Sequence, residues 1–219
     1  AQQSLPSWAG AMPQAEEKSP VWLTPSRPGA LAVNRARATE ISSPLAETGP
    51  GRFRRGVLIH RLLQSLPDVS PAEREGRARA YLSHAGHDLT AAAREEIVAT
   101  VMRLLEDSAF SGIFALGSLA EIPLAAYVSL ADGREVPLVG RIDRLIVNPA
   151  EVLILDFKTN RPPPVAIEHV DPGYVRQLAL YRRAMAQLFP DRAIRAALLW
   201  TEGPRLMELP AVLMEEALA

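Results

Sequence analysis

An apolar run that ends in an acid and an amine is an unusual way to finish a core strand. In Val152-Leu153-Ile154-Leu155-Asp156-Phe157-Lys158-Thr159 the aliphatic and β-branched residues predict a buried strand. Side chains two apart on a strand share a face, so Asp156 and Lys158 project side by side from the rim of a sheet. That suits a metal ligand beside a charge stabiliser. Upstream, Val139 to Val147 reads as a second strand carrying Asp143, joined to the first by the turn-type tetrad Asn148-Pro149-Ala150-Glu151. So short a link makes an antiparallel hairpin with Asp143 and Asp156 on opposite arms. Two carboxylates brought together repel unless a proton or a cation compensates. A divalent cation on oxygen ligands, Mg²⁺ or Mn²⁺, is the natural compensation. On the hairpin alone, strand-end contacts with Arg141, Arg144 or Lys158 explain the two acids equally well.

The elements that must position these residues follow from periodicity. Gly56 to Leu66 carries apolar residues at 58, 59, 62, 63 and 66, the stripe of an amphipathic helix, with His60 beside it. By itself His60 reads as a partly buried histidine capped by a carbonyl. Ser70-Pro71-Ala72-Glu73 is a capping box opening a helix to about Ser83. His84 and His87 fall in a surface loop. Thr90 caps a helix from Ala91 to about Glu106. Strands over 121–130, 136–147 and 152–158 then make a meander carrying Glu121, Asp143 and Asp156, with Asp132-Gly133 as a hairpin turn. Pro123 marks an edge strand or its opening turn. Arg161-Pro162-Pro163-Pro164 breaks the sheet. Pro172 to Leu188 is a helix placing Gln177 and Tyr181 on one face. Ile194–Thr201 is a strand with Trp200 in the core, Arg205–Leu209 a short one, and 211–218 a last helix. The expected fold is α/β (α+β), a mixed central sheet flanked by helices.

Composition narrows the chemistry. With 219 residues there is room for one domain with a substantial core. Residues 1–51, rich in Pro, Ser, Ala and Gly, read as a linker or arm, with Trp8 and Trp22 as apolar anchors; residues 52–219 are the folded domain. The ragged start at Ala1 suggests a piece of a longer chain. Cysteine is absent, which excludes disulfides, thiolate zinc sites, iron–sulfur clusters and a cysteine nucleophile. It fits a reducing cytosol, and the expected location is cytoplasmic. No stretch is long enough for a membrane span and no signal peptide is apparent. A net charge of −1 counts against tight, independent DNA binding. Arg52, Arg54 and Arg55 are either phosphate contacts or a solvated basic edge. There is no Walker A motif, so no ATPase is encoded here.

The motifs, in order, resemble the PD-(D/E)XK nuclease superfamily, and within it the RecB-type nuclease domain at the C-terminus of AddA-type bacterial helicase–nucleases. The resemblance covers roughly residues 52 to 210 and rests on Gly56-x-x-x-His60, Glu121, Gly140-x-x-Asp143, Asp156-x-Lys158 and Gln177-x-x-x-Tyr181, a specific combination. It implies His60, Asp143 and Asp156 as metal ligands, with the Phe157 carbonyl as a fourth. It implies Lys158 orienting or activating the attacking water and Glu121 as an auxiliary acid. It implies Gln177 and Tyr181 bracing the site and meeting the DNA backbone, with Mg²⁺ as the metal and Mn²⁺ as a substitute. Close to such a cation Lys158 is expected to titrate lower than usual, and His60 has to be neutral to ligate. The implied activity is exonucleolytic hydrolysis of DNA ends and single strands during recombinational repair of double-strand breaks. The implied partners are DNA, a helicase portion of the same longer chain and an AddB-like subunit. The competing readings are a nuclease-fold scaffold that binds DNA or a partner without cutting, and a stand-alone RecB-like exonuclease.

Overall fold

The computed structural model describes residues 23–25, 50–130 and 132–219. Trp8, Trp22 and most of the arm, and the side chain of Arg52, lie outside the described residues. Three helices come first, α1 (Pro50–Ser65), α2 (Pro71–Ala85) and α3 (Ala91–Glu106). They lead to strands β1 (Leu119–Ser129), β2 (Glu135–Val147) and β3 (Glu151–Lys158). Helix α4 (Pro172–Leu188), strands β4 (Ala193–Trp200) and β5 (Arg205–Glu208) and helix α5 (Ala211–Glu216) complete the fold. The five strands lie in sequence order. β1–β2, β2–β3 and β4–β5 pair antiparallel, and β3–β4 parallel. The parallel pair needs a crossover, and α4 supplies it. The sheet is therefore mixed and helix-flanked, as the order of elements along the chain implies, and Pro123 does sit on an edge strand.

The sheet separates two apolar cores. Val152 and Ile154 of β3 pack with Leu178, Tyr181 and Trp200 on the α4 side. Leu155 and Phe157 pack with Leu58, Leu62 and Val101 of the α1–α3 layer. Strict alternation thus decides which chemistry goes where: Asp156 and Lys158 continue the face of Val152 and Ile154, under α4.

The register breaks where the acids lie. In β1–β2, the pairs Ala120↔Arg144 and Ile122↔Ile142 bracket Glu121 and Asp143, which are not themselves paired. The β2–β3 ladder stops at Arg144↔Leu155, one step before Asp143 would face Asp156. Ile142 and Leu145, three apart, both join the α4-side core, so the in–out alternation of β2 slips at Asp143. Glu121 takes φ 55°, a left-handed conformation costly for a residue with a Cβ. Three acids thus share one row across three strands, in the part of the sheet that has given up its ladder bonds.

Smaller corrections concern the ends of elements. Ser70 makes no side-chain cap; its carbonyl accepts the Glu73 N–H at 2.9 Å, and Pro71 alone fixes the helix start. His84 belongs to the last turn of α2, not to a loop. Leu23, inside the segment read as a linker, is buried and bridges Leu138 in parallel.

Candidate functional site

The site is assembled around Asp143. Because β2 and β3 part company there, the Phe157 N–H is free to donate to Asp143 Oδ2, at 2.7 Å. Across the same oxygen lies His60 Nδ1, at 3.5 Å. α1 holds that imidazole in place by burying Leu58, Ile59, Leu62 and Leu63 and by resting the ring edge-on against Phe157, 5.7 Å between centroids. Gly56 allows the approach: a Cβ there would come 2.9 Å from Thr159 Oγ1. Glu121 closes the group from β1. His60, Glu121 and Asp143 each offer one ligand atom, and those atoms lie within 4.8 Å of one another.

A second group adjoins it. Lys158 Nζ is 2.5 Å from Asp156 Oδ2 and 3.4 Å from Gln177 Oε1. Gln177 Nε2 donates to Asp156 Oδ1 at 2.8 Å. The amine also sits over the Tyr174 ring, 3.9 Å from its centroid, a cation–π arrangement. Both Asp156 oxygens are therefore engaged, and Asp156 is not among the three residues whose ligand atoms converge. Glu121, expected as an auxiliary acid, is among them.

Electrostatics follow the geometry. Burial, and then the Asp156 carboxylate, push the Asp143 carboxyl up to about 7, against the opposing pull of His60, the Phe157 N–H and Lys158. A buried acid raised by another acid is a local deficit of positive charge. Hard oxygen donors plus one imidazole in that setting fit a divalent cation such as Mg²⁺ or Mn²⁺. Burial alone would lower Lys158; the Asp156 charge and its hydrogen bond outweigh burial and raise it. The downward shift expected of Lys158 belongs to a site that holds a cation; here its nearest neighbour is an anion.

Other expectations resolve differently. Phe157 reaches Asp143 through its N–H, a contact that the resemblance, which pointed to its carbonyl as a metal ligand, did not include. Tyr181 is fully buried and Gln177 nearly so, so neither has surface with which to meet a DNA backbone. Both support: Gln177 holds Asp156 and Lys158, and the Tyr181 hydroxyl accepts the Arg141 N–H at 3.2 Å. Gly140 exists for that contact, since a Cβ would lie 2.4 Å from the Tyr181 oxygen. Arg54 pairs with Asp88 and the Ala85 carbonyl, and Arg55 with Glu202, so both basic residues serve the fold. Sequence reasoning passed over Tyr174, and it paired Arg141 with Asp143 or Asp156 in place of Glu121. Tyr174 precedes Gln177 by three residues on one helix face, which was a usable signal. Arg141, exposed and 3.1 Å from Glu121 Oε2, is reached only through the pairing of β1 with β2.

Comparison with known proteins gives the family. Residues 33–215 match the PD-(D/E)XK nuclease superfamily. The chain belongs to that superfamily, whose nucleases use divalent metals. A solved structure titled "Crystal structure of SSO0001" aligns over 78% of this chain and 84% of its own, with 14% identity and a TM-score of 0.32. No curated protein matches. Among the described residues, no helix is long and apolar enough to cross a membrane.

Proposed function

We propose that the domain is a metal-dependent deoxyribonuclease that hydrolyses phosphodiester bonds at DNA ends and in single strands. In this reading it is the nuclease part of an AddA-type helicase–nuclease. Its helicase portion belongs to a longer chain, its partner is an AddB-like subunit, and its role is recombinational repair of double-strand breaks. The observation that carries the nuclease reading is the convergence of His60, Glu121 and Asp143 within 4.8 Å, beside an amine held by Asp156 and Gln177.

His60, Glu121 and Asp143 would hold the Mg²⁺ or Mn²⁺ ion, and Asp156 would join them by yielding part of its hold on Lys158. When bound, such an ion polarises a phosphoryl oxygen and makes a coordinated water more acidic. The chain's own residues do the rest. Asp143 stays anchored by the Phe157 N–H, so its second oxygen keeps a fixed direction. Lys158, protonated beside Asp156 and over Tyr174, supplies positive charge to the phosphate as negative charge builds there. Its surroundings make it an electrostatic stabiliser in preference to a base. Gln177 keeps the amine and the acid in one geometry, and Tyr181 fixes the β2 backbone two residues before Asp143.

The test is cleavage of single-stranded DNA by the purified protein with Mg²⁺, against Asp156→Ala and Lys158→Ala variants whose folding is verified by circular dichroism. Both variants are expected to be inactive. Wild-type cleavage by both would overturn the assignment of the site.

A further inference from the structure

Next to the amine lies a feature that the nuclease chemistry does not use. An open cavity of about 730 Å³ runs between the Pro162–Val165 loop and the start of α4. Its size falls within the roughly 300–1,000 Å³ of small-molecule sites. Tyr174 and Trp200 line it, their rings 6.3 Å apart and tilted by 55°. The proline run supplies a further apolar wall. Arg205 steadies that loop by donating to the Val165 carbonyl at 2.8 Å.

Two observations say what it takes. No Lys or Arg lines the cavity, while Glu168 and Asp171 do, so a phosphate would meet repulsion. Tyr174 is shared: it lines the cavity, donates to Asn160 Oδ1 at 3.3 Å and carries the Lys158 amine over its ring. A flat, uncharged group that packs on an aromatic ring satisfies both conditions, and a nucleobase is such a group. We infer that this cavity is a base-binding subsite, which receives the base of the nucleotide flanking the phosphate that Lys158 faces. The inference rests on the nuclease reading for its ligand and extends it: single strands are selected because a base has to leave its stack to enter. Tyr174 is then a positioning residue, which couples a seated base to the amine.

The test uses short single-stranded DNA with one 2-aminopurine walked along its length, bound to the full chain in EDTA so that nothing is cut. The expected result is fluorescence quenching at one position only. An abasic residue at that position should weaken binding roughly 10-fold, as loss of one stacked base does. Tyr174→Leu should remove the quenching and Tyr174→Phe should keep it; the abasic arm needs no variant and stands even if Tyr174→Leu fails to fold. Equal fluorescence at every position, or an abasic residue tolerated everywhere, would overturn the subsite. Quenching at one position in a protein that never cuts with Mg²⁺ would leave the subsite standing and remove the nuclease reading. Cleavage without positional quenching would do the reverse.

Discussion

Two charge clusters flank the end of β3, and they are built on opposite principles. On one side Arg55 of α1 and Arg161 after β3 meet Glu96 of α3 and Glu202 after β4. Two cations face two anions, and the cluster closes on itself. On the other side Glu121, Asp143 and Asp156 face one buried amine, an imidazole and the exposed Arg141, whose pairing water screens. The first cluster clamps the helical layer to the sheet. The second is left short of positive charge, which is the condition for recruiting it from outside. The sum of charges separates the clamp from the site more sharply than the mere presence of ion pairs does.

The comparison breaks most visibly at Asp143. Asp143→Asn keeps an acceptor for the Phe157 N–H but removes a charge from the crowded side. Cleavage in Mg²⁺ should fall by at least about 10³-fold, the several kcal/mol that a correctly held metal supplies. The melting temperature should stay level or rise, because repulsion is relieved. A melting temperature that drops instead would show that the site is not short of positive charge.

Glu202→Gln is the opposite case. It leaves Arg55, whose side chain is 12% exposed, with Glu96 at 3.9 Å as its remaining anion. The cost should be about 2 kcal/mol, below the roughly 3–5 of a fully buried pair, with cleavage per folded molecule unchanged below the transition. Denaturant titration and a cleavage assay on the same sample separate the two effects.

The clamp also predicts a pH response. Burial would raise the Glu202 carboxyl, but hydrogen bonding to Arg161 and the Arg55 charge outweigh burial and hold it below the ordinary 4.5. A depressed folded-state value contributes stability that is complete above the unfolded value and fades as the pH falls through the folded one. The wild type should therefore lose more stability than Glu202→Gln on acidification below about pH 4.5, read from melting curves taken down that range. The smallest effect is expected at Tyr181→Phe, which removes the acceptor for the Arg141 N–H and should cost about 1 kcal/mol.

Much of this was legible in the sequence, for identifiable reasons. Alternation in β3 put Asp156 and Lys158 on one face, and the short turn at 148–151 opposed Asp143 to Asp156. The helical stripe placed His60 beside the buried face of its helix. What periodicity could not reveal is a place where periodicity fails. The slip in β2 at Asp143 and the φ of Glu121 come from pairing across strands, and they are what turn Glu121 inward to join the ligand atoms. The hold on Asp156 was hidden for a related reason: the sequence showed that an amine was near, not that the amine and an amide would engage both oxygens. Arg54 and Arg55 read as either phosphate contacts or a solvated edge because their partners, Asp88 and Glu202, come from distant segments.

The bridge at Leu23 bears on how the protein is handled. Its N–H and carbonyl occupy the Pro137 carbonyl and the Val139 N–H, at 2.7 and 2.8 Å, along a stretch of β2 that β3 does not cover. A fragment trimmed at the proline-rich boundary would bare that stretch as an open sheet margin, ready to zip onto another molecule. Recombinant versions that begin upstream of Leu23 should remain dispersed at concentrations where shorter ones precipitate.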